Sequence, residues 1–197
     1  RSALTSAEAA AAAGLTRAGA RRLLMTLQQL GYASYDGKRY ALTPRVLELG
    51  FTWLSAQPLF GVGEPVAKRL AERLNETVSI GVLDLPDVVY VVRALSARAL
   101  HLRLDPGARI PAHTSSMGLI LLGALEPVQL ADFLKQWPRR RYTERTPFEE
   151  ADIRGRIAAA RRDGFCYLSG VMDDGIAGLS VPVRGRAGGR PVAALNL

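Results

Sequence analysis

Apolar residues recur at helical spacing through the first 74 positions and begin to alternate from Thr77, so the chain passes from helix to strand periodicity within its first half. Thr5 precedes the run SAEAAAAAG with Glu8 three residues on, a spacing that predicts a capping box and an alanine-rich helix stopped at Gly14. Leu15 is then expected to plug the space before a second helix, for which Thr16 supplies the N-cap. In RAGARRLLMTLQQLG the stripe Ala20, Leu23, Leu24, Leu27 and Leu30 is expected to face inward, and Gly31 closes the run. Residues 32–35 and 39–42 flank Asp36-Gly37, a pair that favours a type I′ hairpin turn. Thr43-Pro44 opens a connecting helix over residues 44–56, broken at Gln57-Pro58, and residues 62–74 form another amphipathic helix. The connecting helix carries Val46, Leu47, Leu49, Phe51, Trp53 and Leu54, too apolar a set for a solvated linker, so a second subunit is a candidate to cover it.

Residues 77–83 and 88–93 read as strands joined by a turn, and residues 100–104 as a third strand with one wet face. Helices are predicted over 115–125, 127–136 and 149–163, the last stopped by Gly164, with a basic loop at 138–141. Further strands fall at 165–168, 177–183 and 191–197. Strands interleaved with helices and often joined by hairpins predict an α+β fold with a mainly antiparallel sheet.

Charge sharpens the reading of the first segment. The chain has 26 basic and 18 acidic residues, and seven of those cations against three anions lie within residues 1–57, so the excess is densest where the helix pair and hairpin sit. Arg17, Arg21 and Arg22 occupy the start of the second helix, opposite its apolar stripe, where guanidinium groups reach phosphates or guanine edges once that helix enters a major groove. Lys38 and Arg39 near the hairpin tip suit the sugar-phosphate backbone. Helix, turn, basic helix and basic-tipped ribbon together predict a winged helix-turn-helix that binds double-stranded DNA, with Thr5, Thr16, Arg17, Ala18, Arg21, Arg22, Lys38 and Arg39 as the contact set. Such a module ordinarily has another helix ahead of the pair, so the first helix is expected to be missing, and the C-terminus, ending within an apolar run, to be truncated.

A single cysteine, Cys166, excludes a disulfide framework and reads as a small buried hydrophobe. No apolar run reaches the ~20 residues that span a bilayer, and no signal-peptide pattern opens the chain, so a cytoplasmic location is expected. His113, Ser115 and Ser116 are loose parts of a nucleophilic site without a G-x-S-x-G elbow, and His101, His113 and Cys166 fall short of a zinc pattern. No catalytic residue, metal or cofactor is therefore expected, and a hydrolase using Ser115 or Ser116 stands as the rival class.

In GLTRAGARRLLMTLQQLGYA with YALTPRVLELG, then VVYVVRALSARALHLRLDPGARIPAHTSSMGLILL, and later RRDGFCYLSGVMDDGIAGLSVPV with PVAALNL, the chain resembles the IclR family of bacterial transcription regulators. The stretch from Tyr90 to Leu122 is most similar to the branch that senses protocatechuate, 4-hydroxybenzoate and related acids. The resemblance implies a winged helix-turn-helix domain over residues 1–42, a linker helix over 43–57 and a GAF-like effector-binding domain over 58–197. It further implies a homodimer or a dimer of dimers on an operator, and a small organic acid as effector. Family pocket positions fall on Leu102, Ile110, Ser115, Ser116, Met117, Leu168, Gly178 and Asn196. Ser116, expected at the start of a helix, is either a plain N-cap or, with the amides there, the seat of a carboxylate, and each leucine is either core or pocket wall. The chain departs from the family pattern at Gly170-Val171, where an acidic pair is usual, and at Leu168, where the pocket is usually acidic. The less polar pocket favours an aromatic acid over a small aliphatic one such as glyoxylate or pyruvate.

Overall fold

The computed structural model describes residues 3–96, 104–137, 140–185 and 188–197, in two compact units, Arg1–Pro58 and Leu59–Leu197. The expected third strand, apart from Leu104, and the first half of the basic loop lie outside the described residues.

Local chemistry fixes the first unit. In α1 (Ser6–Ala13) the Glu8 amide donates to Thr5 Oγ1 at 3.2 Å while the Thr5 amide donates to Glu8 Oε2 at 2.8 Å, and Gly14 ends the helix in the left-handed region at φ 64°. α2 (Arg17–Gln29) starts on Thr16, whose hydroxyl accepts from the Gly19 amide at 3.1 Å, and Arg45 Nη1 closes its far end by donating to the Leu30 carbonyl at 2.7 Å. β1 (Ala33–Tyr35) and β2 (Tyr40–Leu42) make an antiparallel ribbon, and α3 (Val46–Ser55) follows.

Two expectations fail here. The hairpin is not type I′: of its loop residues Gly37 has positive φ but Asp36 does not, and the Asp36 carboxylate instead accepts from the Lys38 and Arg39 amides at 2.8 and 2.7 Å. Nor does the α2 stripe face a core. Ala20 is buried and Leu24 half-buried, but Leu23 is 56% exposed, Leu27 and Leu30 are exposed, and Leu15 is 44% exposed. Alanines and one tyrosine (Ala10, Ala20, Ala33, Tyr40) make the small buried core of this unit.

The second unit is a six-stranded antiparallel sheet ordered β5-β4-β3-β8-β7-β6, built from β3 (Val78–Asp84), β4 (Asp87–Ala94), β5 (Arg109–Pro111), β6 (Cys166–Ser169), β7 (Ala177–Gly185) and β8 (Gly188–Asn196). α5 (Ser116–Leu122) is buried at every residue and packs against the sheet, with α7 (Glu150–Asp163) beside it. α6 (Pro127–Gln136) adds Leu130, Phe133 and Leu134 to the same core. Gly118 permits this seat, because a Cβ there would lie 1.9 Å from the Ala112 carbonyl oxygen in the 3-10 turn Ala112–Thr114. α4 (Pro58–Leu74) begins four residues earlier than the periodicity predicts, with Pro58 as its first residue, and its Gly63 meets Ile80 of β3.

Candidate functional site

Two features concentrate functional chemistry, one in each unit. In the first, Arg17, Ala18, Arg21 and Arg22 are exposed on α2, Arg17 and Arg21 sharing a helical face at i, i+4 spacing and Arg22 lying roughly 100° round from Arg21. Lys38 is exposed in the ribbon loop, where two backbone amides, that of Arg39 foremost, hold the Asp36 carboxyl below its usual range. Arg39 is engaged within the unit instead: its Nη1 donates to the Ala3 carbonyl at 3.1 Å and lies 3.4 Å from Glu8 Oε2. The hydroxyls of Thr5 and Thr16 serve as helix caps.

In the second unit a cavity of about 260 Å³ opens between the start of α5 and the sheet. Seven of the eight expected pocket residues line it: Ile110, Ser115, Ser116, Met117, Leu168, Gly178 and Asn196. Leu102 lies outside the described residues. Tyr90, Leu104, Val171, Met172 and Ile176 add apolar wall that sequence reasoning did not assign. Burial pushes the Tyr90 phenol above its usual range against the opposing charge of Arg93.

The polar edge of the cavity is a closed knot. Ser116 Oγ lies 2.8 Å from Ser180 Oγ, and Asn196 Nδ2 donates to Ser116 Oγ at 3.2 Å, Ser180 Oγ at 3.1 Å and the Leu179 carbonyl at 3.2 Å. Ser116 is not the cap: Ser115 is, accepting from the Gly118 amide at 2.9 Å, so Ser116 is the first helical residue. The amides of Ser116 and Met117 then occupy the first two helical positions, which have no intrahelical acceptor. Gly178 faces the knot, since a Cβ there would come within 3.0 Å of Asn196 Nδ2 and 3.2 Å of Ser116 Oγ.

The turn between β6 and β7 closes one side of the cavity and is pinned from below. Thr143 Oγ1 donates to the Gly170 carbonyl at 2.6 Å, and the buried Thr146 Oγ1 donates to the Val171 carbonyl at 2.7 Å while accepting from the amides of Tyr142 and Thr143. Asp173 belongs to the lining, and its Oδ1 accepts from the Gly175 amide at 2.9 Å. Asp174 does not line the cavity.

The parts of a nucleophilic site do not assemble. His113 is fully buried, neither ring nitrogen has a hydrogen-bond partner, and its ring meets Trp137 edge-on at 4.5 Å, so no serine–histidine pair exists. Burial lowers the His113 pKa to about 4, and burial raises that of the Cys166 thiol to about 11. Among the described residues no three His, Cys, Asp or Glu side chains are grouped to hold a metal ion, and no helix is long and apolar enough to cross a membrane.

A basic helix-turn-helix in one unit and a small apolar cavity in an α+β second unit fit the class of DNA-binding transcription regulators, and comparison with known proteins supplies the family. Residues 1–37 match the IclR helix-turn-helix domain and residues 51–197 the C-terminal domain of the bacterial transcriptional regulator IclR. The chain is 34% identical over 195 residues to the Pca regulon regulatory protein of Pseudomonas putida, covering 98% of this chain and 67% of that protein. It is 33% identical to the p-hydroxybenzoate hydroxylase transcriptional activator of Acinetobacter baylyi, over 93% of this chain and 69% of that one. The crystal structure of an IclR homolog from Microbacterium hydrocarbonoxydans, complexed with 4-hydroxybenzoate, superposes with a TM-score of 0.82 at 26% identity, covering 100% of this chain and 81% of that one. The chain belongs to the IclR family of transcriptional regulators, and it is not an enzyme.

Proposed function

We propose that this regulator binds operator DNA through Arg17, Ala18, Arg21 and Arg22 of α2, with Lys38 on the flanking backbone, and that a single-ring aromatic acid in the cavity controls that binding. The carrying observation is the cavity itself, about 260 Å³, walled by Tyr90, Ile110, Met117 and Leu168, with hydroxyl and amide groups along one edge. That volume is below the roughly 300–1,000 Å³ of drug-sized sites and suits one ring better than a larger skeleton. The relatives named for the Pca regulon and for p-hydroxybenzoate hydroxylase, and the 4-hydroxybenzoate complex, support the same ligand class.

In this reading residues 1–42 are the DNA-binding domain, 43–57 the linker helix and 58–197 the effector domain, working in the cytoplasm where the operator lies. Leu47, Leu49, Phe51 and Trp53 stay exposed on α3, a surface that suits a second copy of the chain. Effector changes DNA affinity only as far as it binds one arrangement of the dimer better than the other. The test is a gel-shift titration against the promoter beside its own gene, with and without 4-hydroxybenzoate or protocatechuate. A shifted midpoint with an aromatic acid and none with glyoxylate or pyruvate is expected. Unchanged binding with every acid defeats the sensor half of the reading, and a response to the aliphatic acids alone transfers it to them.

A further inference from the structure

The sheet register puts Arg93, itself outside the cavity lining, on the same face of the sheet as the cavity-lining Tyr90 and Asn196. β3 pairs Ser79 with Arg93 of β4 on one side and with Asn196 of β8 on the other, and Asn196 pairs with Ser180 of β7. Residues directly opposite one another point to the same face, so Arg93, Ser79, Asn196 and Ser180 form one row across four strands. Ser180 and Asn196 bond the Ser116 hydroxyl, which fixes that row on the cavity face. Arg93 reaches this face because of the irregularity opposite Ile80 and Gly81, where Ile80 pairs with Val92 and Gly81 with Tyr90. Without that extra residue, Arg93 would stand on the opposite face from the cavity-lining Tyr90.

Nε and Nη1 of Arg93 are shielded from solvent and have no hydrogen-bond partner, whether carboxylate or other acceptor. A guanidinium carries its charge throughout, and a buried charge without a partner is costly. Asp173, the acid of the cavity lining, is bonded to its own turn. Arg93 thus carries a charge that no acidic side chain among the described residues pairs. We propose that Arg93 is the counter-ion for the effector's carboxylate, its planar fork donating to both oxygens, so that the site takes anionic rings and rejects neutral ones of the same shape. This rests on the aromatic-acid reading above and adds to it the residue that enforces the charge.

Calorimetric titration of the 197-residue chain with 4-hydroxybenzoate and with 4-hydroxybenzamide, before and after Arg93→Met, tests it. Wild type is expected to prefer the acid by at least tenfold, and Arg93→Met to lose that preference by weakening acid binding while amide binding stays within about twofold. Arg93→Lys, which keeps the charge without the fork, is expected to retain the preference at lower affinity. Should Arg93→Met fail to fold by far-UV dichroism, the wild-type ratio and the lysine variant decide. Equal wild-type affinity for acid and amide, or acid binding untouched by Arg93→Met, overturns the assignment and leaves the aromatic-acid reading standing. A wild-type chain that binds no aromatic acid overturns both.

Discussion

Acid should loosen the second unit through His113. The imidazole is fully buried, has no hydrogen-bond partner, and packs edge-on against Trp137 in the turn that leads into α5. Its ordinary pKa of 6.5 falls to about 4 in the fold, because desolvation outweighs the opposing charge of Asp87. Between those values the unfolded chain binds the proton and the folded one does not, so stability is complete above 6.5 and drains away as the pH falls toward 4. The full interval corresponds to about 3 kcal/mol at ~1.36 kcal/mol per unit, of which ~2 kcal/mol is lost between about pH 7 and pH 4.5. Urea unfolding followed by Trp137 fluorescence, in a Trp53→Phe background so that one reporter remains, measures this directly. His113→Phe keeps the ring contact and removes the titration, and carboxylates such as Asp36 and Glu126 contribute equally to both proteins. The stability of His113→Phe relative to its parent is therefore expected to rise by ~2 kcal/mol from about pH 7 to pH 4.5. Parallel pH profiles would refute the account, since they would mean the imidazole takes up its proton in the fold as readily as outside it.

Three further outcomes follow from geometry. Replacing Arg17, Arg21 and Arg22 together with alanine is expected to abolish specific operator binding without lowering the melting temperature, since all three are exposed; each lost phosphate contact should also flatten the salt dependence by about 0.9 in log–log slope. Gly118→Ala puts a Cβ 1.9 Å from the Ala112 carbonyl oxygen, and the displacement of α5 should cost at least ~1–3 kcal/mol in chemical denaturation and reduce ligand affinity. Thr146→Val leaves the Val171 carbonyl and the Tyr142 and Thr143 amides without their shared hydroxyl, for about 1–3 kcal/mol in the same assay and a weaker effector complex.

What the sequence made legible was local. Thr5 with Glu8, Thr16, Gly14 and Gly164 cap helices through contacts within a few residues, so their types and spacing announce where α1, α2 and α7 begin or end. Proline at the first position marked α6 to the residue, and the resemblance to a known family carried seven pocket positions to the cavity. What escaped depended on partners distant along the chain. Leu23 and Leu27 have the spacing of a buried stripe, but spacing does not say whether enough structure exists to cover them. Periodicity of two puts Tyr90 and Arg93 on opposite faces, and only the pairing of β4 with β3 reveals the extra residue that unites them. The polar knot of Ser116, Ser180 and Asn196 joins residues 64 and 80 positions apart, beyond any local pattern.

That knot also bears on how an effector could be held. Ser116, Ser180 and the Asn196 amide nitrogen already hydrogen-bond one another, so a carboxylate arriving there would exchange hydrogen bonds within the protein for hydrogen bonds to itself, and such an exchange contributes little net affinity. Net gain must come from groups whose needs are unmet before binding: the apolar walls at Ile110, Met117 and Leu168, and a guanidinium with two shielded nitrogens and no acceptor. Affinity and selectivity therefore separate. On the aromatic-acid proposal the ring would supply most of the binding energy, roughly 25 cal/mol for each Å² of apolar surface removed from water, while the knot and Arg93 would set which ring is admitted. A Ser180→Ala change should accordingly reorder preference among hydroxylated benzoates by a few-fold, whereas Met117→Ala should weaken all of them together.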